Sequence, residues 1–261
     1  MSYSKQLKIA SQAARVAGKI LLENFNSPHI VTEKGERKEF VTEVDIKAEE
    51  VILSILNKQF PSYSIHSEEF GEEKHKSDFL WLVDPLDGTT NYKIHLPFFN
   101  VSIGLAKKDR AVAGVVYSPF LDELFYAETG KGAYLNGKRI YISDKKEISS
   151  AVIGFCHSGL KKEYVERAIK IFSGLKKLSS HTRQFGSVAL EFCYLASGRI
   201  DVIEVSNANP YDVAAGALIA KEAGAVVTDF NGSPWNLRKK DVLATNPHLH
   251  KKLQPLLKKS R

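Results

Sequence analysis

The chain has 261 residues, of which 43% are hydrophobic and 26% are charged, and its formal net charge is +7. This composition is typical of a folded globular protein and excludes a disordered or fibrous chain. No apolar run approaches the roughly 20 residues that cross a bilayer, so we predict no membrane-spanning segment. No linker or internal repeat divides the sequence, which favours one compact unit.

The excess positive charge falls on separate lysine pairs, at residues 161–162, 176–177 and 239–240, and on the C-terminal tail. Because no basic stripe is interleaved with aromatic residues, the charge does not predict a nucleic-acid-binding protein. It could favour anionic substrates at long range. The two cysteines, Cys156 and Cys193, lie in apolar stretches, so we expect buried free thiols and a cytoplasmic location.

In chain order, the first predicted element is a helix over residues 4–25, whose apolar residues recur on one face. Residues 28–40 are charged and predict an exposed, mobile connection. Thr42 then has the spacing of a helix N-cap before Asp45, and residues 44–56 predict a second amphipathic helix.

Strands and hairpins dominate the middle of the chain, and strands alternate with helices after it. Strands are predicted at residues 79–83, 100–106, 111–117 and 123–127, with a tight hairpin at Asn136-Gly137. Further strands are predicted at residues 151–156, 201–205 and 225–229, and helices at residues 164–172, 188–196 and 213–223. The pattern predicts an α/β (α+β) fold with mixed, largely antiparallel sheets.

The most informative segment is residues 81–91, Trp-Leu-Val-Asp-Pro-Leu-Asp-Gly-Thr-Thr-Asn. Pro85 fixes its own φ between Asp84 and Asp87, so we expect the chain to turn here rather than continue as a strand. Such a turn can direct both carboxylates, and the Leu86 carbonyl, at one point. Oxygen ligands of this kind suit Mg²⁺ better than zinc.

Gly88, Thr89 and Thr90 supply small residues, backbone N–H groups and hydroxyls, which together can hold a phosphate. They follow a core strand, and α/β sheets tend to bind ligands at the carboxyl ends of strands. The same residues also fit an ordinary surface turn. From the residues alone, a metal–phosphate site and a structural turn remain open alternatives.

Residues 84–91 resemble the signature of the inositol monophosphatase family of Mg²⁺-dependent, lithium-sensitive sugar phosphatases. Residues 41–45, 67–69 and 210–216 resemble three further family motifs in the expected order, and the resemblance extends from about residue 5 to 247. It implies a layered α/β/α/β/α sandwich in one domain over residues 1–261. Within that domain it implies a metal- and phosphate-binding lobe to about residue 145 and a substrate-binding lobe from about residue 146.

The resemblance also implies a set of metal ligands for two or three Mg²⁺ ions. The implied ligands are Glu68, Asp84, the Leu86 carbonyl, Asp87 and Asp212. Taken alone, Glu68 lies in an acidic run typical of a solvated loop, and Asp212 precedes a helix that it could cap.

By the same resemblance, Thr89 and Glu68 orient and deprotonate a metal-activated water, and Asp45 is hydrogen-bonded to Thr89. The amides of residues 88–90 bind phosphate oxygens, and Lys34 lies near the metals. Taken alone, Asp45 also fits the favourable electrostatics of a first helical turn.

Substrate contacts are implied for Gly186 and Ser187, which align with a segment that touches inositol hydroxyls, and for Asp212. Glu204 resembles a hydroxyl-binding glutamate, but it lies one residue further from Asp212 than the family pattern, and Val205 takes the aligned place. This offset weakens the expectation of strict inositol specificity.

The sequence therefore predicts a Mg²⁺-dependent phosphomonoesterase that acts on inositol 1-phosphate or related polyol phosphates. The alternative is a fructose-1,6-bisphosphatase or an enzyme with both activities. A lower-ranked alternative is a regulatory protein that associates with RNA polymerase, as some bacterial relatives do. A nucleotide phosphatase is disfavoured, because Thr90-Asn91 stands where that branch has lysine and glycine. Relatives also imply a homodimer.

Overall fold

The computed structural model describes residues 2–27, 31–34, 39–159 and 161–259, with residues 31–34 and 39–42 as backbone alone. Within these ranges it contains seven α-helices: α1 (Ser4–Asn24), α2 (Glu43–Gln59), α3 (Thr89–Lys93), α4 (Lys162–Leu178), α5 (Val188–Ala196), α6 (Pro210–Glu222) and α7 (Pro247–Lys258).

The strands of the same ranges are β1 (Val31–Lys34), β2 (Glu39–Thr42), β3 (Ser64–Ser67), β4 (Gly71–Glu73), β5 (Phe79–Asp87), β6 (Asn100–Lys107), β7 (Arg110–Ser118), β8 (Glu123–Glu128), β9 (Gly132–Leu135), β10 (Lys138–Ile140), β11 (Ile153–His157), β12 (Thr182–Arg183), β13 (Val202–Ser206), β14 (Val226–Thr228) and β15 (Val242–Thr245).

These strands form three sheets. Strands β1 and β2 make a small antiparallel pair. The larger sheets run β10-β9-β8-β7-β6-β5-β3-β4 and β12-β11-β13-β15-β14. The eight-stranded sheet is antiparallel except where β3 pairs with β5, and in the five-stranded sheet β11 runs parallel to both β12 and β13.

Hydrophobic contacts stack these elements in five layers. Helices α1 and α2 cover one face of the eight-stranded sheet, and α5 and α6 cover its other face. The opposite sides of α5 and α6 pack against the five-stranded sheet, whose outer face is covered by α4 and α7. The predicted α/β/α/β/α fold with mixed, largely antiparallel sheets is therefore confirmed. The division into two lobes stays a prediction, and α5 and α6 contact both sheets.

Small residues bring α6 close to the eight-stranded sheet. A Cβ atom on Gly114 of β7 would lie 2.9 Å from the Ala215 Cα, and one on Gly104 of β6 would lie 3.2 Å from the Ala214 Cβ. Contacts below about 3.4 Å would push the helix away from the sheet. This close approach fixes the start of α6, and hence Asp212, relative to β5.

Most predicted elements are present within a few residues of their expected bounds. The hairpin at Asn136-Gly137 forms with φ values of 47° and 82°, as a tight two-residue turn requires. The connection predicted over residues 28–40 is wrong in part, because β1 and β2 pair there. Residues 28–30 and 35–38, and the predicted capping by the Thr42 side chain, lie outside the described structure.

Both cysteines are buried and free, as predicted. None of the helices in the described ranges combines the length and the apolar character needed to cross a membrane.

Candidate active site

The prediction that the chain turns at Pro85 is wrong, because β5 continues to Asp87. Its pairing with β6 passes from Asp84 opposite Ser102 to Asp87 opposite Asn100, so β5 has one residue more than its partner at this bulge. A bulge leaves a residue outside the hydrogen-bonded ladder, which accommodates a proline that has no N–H to donate. The extra residue also changes the alternation of side chains along the strand, which affects where the two aspartates point.

Asp84 lies at the centre of a group of carboxylates. Its side chain is 2% exposed, and its Oδ1 accepts a hydrogen bond from the Leu86 N–H at 3.0 Å. Burial raises the pKa of Asp84 well above its ordinary value, and the negative charges of Glu68, Asp87 and Asp212 raise it further. The fold therefore brings the three other predicted acidic ligands within electrostatic range of Asp84.

Glu68 reaches this group because β3 runs parallel to β5. Ser67, the last residue of β3, pairs with Val83, and the Glu68 N–H donates to the Val83 carbonyl at 3.1 Å. This register places Glu68 next to Asp84, and the two side chains are hydrogen-bonded.

Asp87 joins β5 to α5. Its Oδ2 accepts hydrogen bonds from Asn100 Nδ2 at 2.7 Å, Ser187 Oγ at 2.9 Å and the Ala189 N–H at 2.7 Å, and its Oδ1 accepts one from the Val188 N–H at 3.0 Å. Burial raises the pKa of Asp87, and these hydrogen bonds oppose the increase. Since each carboxylate oxygen has about two lone pairs, Oδ1 is the atom with room for a cation.

The chemistry of this group fits a hard divalent cation. Its side chains offer only oxygen donors, and buried carboxylates that repel one another are stabilised by a nearby positive charge. Within the described ranges, no three His, Cys, Asp or Glu side chains already stand in an arrangement that would hold a metal ion. The donor set therefore fits Mg²⁺.

The backbone after Asp87 makes a sharp turn that only glycine adopts easily. Gly88 has φ of +100°, and a Cβ atom there would lie 3.0 Å from the Phe98 carbonyl oxygen and 3.3 Å from the Ser187 Cβ. This conformation starts the short helix α3, whose first N–H groups begin at Thr89, and it places Gly88 next to Ser187.

The Thr89 hydroxyl lies between two of the predicted site residues. Thr89 Oγ1 donates to the Leu86 carbonyl oxygen at 3.0 Å, and Asp45 Oδ1 is 3.5 Å away. Asp45 is 1% exposed and lies in the first turn of α2. The Leu86 carbonyl, Thr89 and Asp45 are thus brought together.

Asp212 lies at the start of α6 and belongs to the carboxylate group around Asp84. The Asp212 carboxylate accepts a hydrogen bond from the Asn209 N–H at 3.0 Å in a capping box, which is the helix-capping role considered from the sequence. The side chain also raises the pKa of Asp84, so capping does not remove it from the carboxylate group.

The segment with Gly186 and Ser187 is fixed against the signature. Asn91 Nδ2 donates to the Phe185 carbonyl at 2.7 Å and to the Phe98 carbonyl at 2.8 Å. Gly186 is exposed with φ of +81°, whereas Ser187 is fully buried and donates to Asp87. Thr90 is exposed at the start of α3. All of these residues lie around Gly88.

Glu204 does not join them. It pairs with Phe155 in the parallel β11–β13 ladder, so its side chain points to the face covered by α4 and α7. Val205 and Cys156 point to the opposite face, toward α5 and α6. Glu204 is fully buried, and burial together with the Asp241 charge raises its pKa well above the ordinary value. The expected contact of Glu204 with substrate does not fit this position, because the one-residue offset turns it to the other face of a strand.

The side chain of Lys34, on β1, lies outside the described structure. Two nearby histidines have structural contacts: the His66 ring lies 5.3 Å from the Tyr211 ring, and His95 Nδ1 is 2.7 Å from the Phe25 carbonyl oxygen.

Two buried glutamates that were not predicted from the sequence bind segments next to the predicted site residues. Glu49 on α2 accepts backbone hydrogen bonds from Glu69 and Phe70, next to Glu68. Glu191 on α5 accepts from the Gly186 N–H at 3.2 Å and lies 3.0 Å from the Cys156 sulfur. Burial raises the pKa of Glu191 to about 8. The one sequence signal was the four-residue spacing from Asp45 to Glu49, which puts both on one helix face.

Comparison with known proteins gives concordant results. The family model described as the inositol monophosphatase family matches residues 2–261. The Nus factor SuhB of Escherichia coli strain K12 is 39% identical over 248 residues, which cover 94% of this chain and 92% of the relative. A fructose-1,6-bisphosphatase/inositol-1-monophosphatase of Aquifex aeolicus is 36% identical over 257 residues, which cover 98% and 96%. The solved structure of an IMPase from Thermotoga maritima superposes with a TM-score of 0.88 at 33% identity, covering 98% of each chain.

Proposed function

This chain belongs to the inositol monophosphatase family, and from that premise we propose that it is a Mg²⁺-dependent phosphomonoesterase for inositol 1-phosphate or related polyol phosphates. The observation that carries the proposal is the group of buried carboxylates around Asp84, beside the backbone turn at Gly88. Family membership supports phosphatase activity, and the Aquifex aeolicus relative is named for it.

The cations would be held by Glu68, Asp84, the Leu86 carbonyl, Asp87 and Asp212, two or three ions in all. When bound, Mg²⁺ would withdraw negative charge from the phosphoryl group and lower the pKa of the attacking water. A positive charge held there would offset the burial and the mutual repulsion that raise the pKa of Asp84.

The remaining steps belong to residues of the chain. The Thr89 hydroxyl, held beside the Leu86 carbonyl and Asp45, would orient the attacking water. Glu68 would accept the proton that this water loses. The amides of residues 88–90 would hold the phosphate oxygens, because the first N–H groups of a helix have no partner within the helix and α3 begins at Thr89.

Hydrolysis of inositol 1-phosphate and fructose 1,6-bisphosphate by the purified protein with Mg²⁺ tests this proposal. We expect Mg²⁺-dependent release of phosphate from the polyol phosphate, abolished by Asp84→Asn. If a folded protein with saturating Mg²⁺ hydrolysed neither substrate, the proposal would be overturned.

A second candidate is an enzyme with both activities. It is favoured by the position of Glu204, which faces α4 and α7 and leaves Val205 at the place of the hydroxyl-binding glutamate. A site without that carboxylate would distinguish poorly between polyols. The Aquifex aeolicus relative is named for both activities. Comparable kcat/KM values for the two substrates would favour this candidate, and a large preference for inositol 1-phosphate would oppose it.

A regulatory role as a binding protein ranks below these. Residues 1–140 contain 18 Lys and Arg against 19 Asp and Glu, whereas residues 141–261 contain 19 against 11. The fold also gathers many of these basic residues on α4 and α7, which share one outer layer. The Escherichia coli relative is named a Nus factor. If Asp84→Asn abolished hydrolysis but preserved the cellular phenotype, a regulatory role, including association with RNA polymerase, would be favoured. A homodimeric state and a cytoplasmic location stay predictions.

A further inference from the structure

Glu49 is a buried carboxylate next to the proposed base, yet the mechanism above does not use it. It lies one helical turn after Asp45 on α2 and is fully buried. Its Oε2 accepts a hydrogen bond from the Glu69 N–H at 3.0 Å, and its Oε1 accepts one from the Phe70 N–H at 2.8 Å. Both carboxylate oxygens therefore bind the backbone of one short segment.

That segment is the three-residue loop that carries Glu68. Ser67 ends β3 and pairs with Gly71, which begins β4, so residues 68–70 connect two antiparallel strands. On one side, the Glu68 N–H is bonded to the Val83 carbonyl of β5. On the other side, Glu49 binds the next two N–H groups. The backbone of Glu68 is thus held from two directions.

The two hydrogen bonds to the Glu49 carboxylate are strong ones. A buried carboxylate loses its hydration, and hydrogen bonds from N–H groups to an ionised oxygen are about twice as strong as neutral ones. Small displacements of a reacting group by about 1 Å can reduce rates by roughly 100-fold. A carboxylate that fixes this loop therefore acts on the position of Glu68.

We propose that Glu49 is a positioning residue that holds the Glu68 carboxylate against Asp84 by fixing the backbone of residues 68–70. Since Asp45 lies beside Thr89, helix α2 supports both the orienting hydroxyl and the proposed base from one face. The inference rests on the proposed function, because Glu68 is a ligand and base only there. Glu49 itself touches neither substrate nor metal.

The test is Glu49→Gln, in which the amide oxygen can accept one N–H but the NH₂ group faces the other. The matched control is Glu128→Gln, because Glu128 is also buried and also binds a backbone group. It accepts a hydrogen bond of 2.9 Å from the N–H of Tyr3, the residue that precedes α1. Thermal unfolding should show similar losses of Tm. Amide exchange at residues 69 and 70 should accelerate at least tenfold in Glu49→Gln alone.

Mn²⁺ binding measured by calorimetry without substrate should weaken at least fivefold in Glu49→Gln and stay within twofold of wild type in Glu128→Gln. With substrate and saturating Mg²⁺, kcat should fall at least tenfold while KM changes less than threefold, because residues 88–90 are untouched. If Glu49→Gln does not fold, Glu49→Asp should show the same losses at smaller size, because it keeps the charge but shortens the side chain.

Wild-type Mn²⁺ affinity and kcat in a Glu49 variant whose amides at residues 69 and 70 exchange faster would overturn the inference. The Glu68→Gln variant separates this result from failure of the proposed function. If Glu68→Gln keeps both cation affinity and hydrolysis, the assignment of Glu68 is wrong. If it loses them while the Glu49 variant does not, only the positioning role is wrong.

Discussion

The carboxylate of Asp87, at the end of β5, accepts a hydrogen bond of 2.7 Å from the N–H of Ala189, which lies 102 positions later in the first turn of α5. The same carboxylate binds the Ser187 hydroxyl and the Val188 N–H. Negative charge at a helix N-terminus is stabilising. This contact, together with those of the Asn91 and Asn100 amides, fixes the proposed metal-binding segment against the proposed substrate segment.

Asp87→Asn should therefore have two effects. The amide cannot replace the charge at the start of α5, so the free energy of unfolding should fall by about 2 kcal/mol, as expected for hydrogen bonds to a charged group. Activity should fall by roughly 100-fold, the scale seen when one electrostatic group leaves an active site. Urea denaturation and steady-state kinetics measure the two effects.

Asp201→Asn is the matched control for that change. Asp201 is 5% exposed and accepts hydrogen bonds from the Ser143 hydroxyl and from the Val152 N–H at 2.8 Å, away from the carboxylate group. It should lose a similar stability and keep its activity. Equal activity losses in the two variants would mean that Asp87 acts only through stability.

Thr89→Ala should lower kcat far more than it raises KM, because the hydroxyl beside the Leu86 carbonyl would orient water rather than bind substrate. Thr89→Ser keeps the hydroxyl and should restore most of the turnover. Steady-state kinetics with inositol 1-phosphate measure both constants. An increase in KM at unchanged kcat would contradict the orienting role.

Gly88→Ala should lower both stability and activity. The added Cβ would meet the Phe98 carbonyl oxygen at 3.0 Å, in a backbone of φ +100° that costs an alanine about 1–3 kcal/mol. Gly130→Ala is the control, because Gly130 has φ of +77° and, apart from its chain neighbours, no atom of the described residues lies within 4 Å of the added Cβ. The control should lose some Tm and keep normal kcat. Normal activity of Gly88→Ala would argue against a phosphate-binding turn.

Glu191 should make stability depend on pH. Burial raises its pKa from 4.5 to about 8, with the Asp87 charge adding to the increase and the Cys156 thiol and the Gly186 N–H opposing it. Between these two pH values the folded state binds more protons than the unfolded state, so stability falls as pH rises, by at most about 1.4 kcal/mol per unit. Its contribution is complete below pH 4.5 and lost above pH 8.

Glu191→Gln removes this titration, because the amide stays neutral. The free energy of unfolding of the variant, relative to wild type, should therefore increase from pH 5 to pH 8.5. Urea denaturation of both proteins at intervals across this range measures the difference, in which other titrating groups largely cancel. A difference that is constant with pH would contradict the raised pKa of Glu191.

The sequence predicted the elements and motifs of this fold well because they depend on local patterns. Hydrophobic periodicity located α1, β6 and α5, and the order of four short motifs predicted the layered fold. The turn at Pro85 was wrong because a proline alone does not reveal the sheet register. The bulge opposite Ser102 and Asn100 accommodates it within the strand.

The supporting residues could not be predicted for a related reason. Glu49 binds backbone N–H groups 20 and 21 residues away, and Glu191 contacts the Cys156 thiol 35 residues away, so no local pattern shows those pairings. Asn100 donates hydrogen bonds to both Asp87 and Ser187, but the sequence predicted it only as the first residue of a strand. The expected role of Glu204 failed because successive side chains of a strand point to opposite faces of the sheet. An offset of one residue therefore places Glu204 on the face covered by α4 and α7.

The central claim is that four acidic side chains from distant parts of the chain share divalent cations. Anomalous diffraction from crystals soaked in Mn²⁺ tests it most directly. We predict a peak about 2.1–2.2 Å from an oxygen of Asp84, an ordinary distance for a hard divalent cation, with Glu68, Asp87 or Asp212 completing its contacts. A map with no peak within bonding distance of Asp84, from crystals whose protein is folded and saturated with Mn²⁺, would contradict the account.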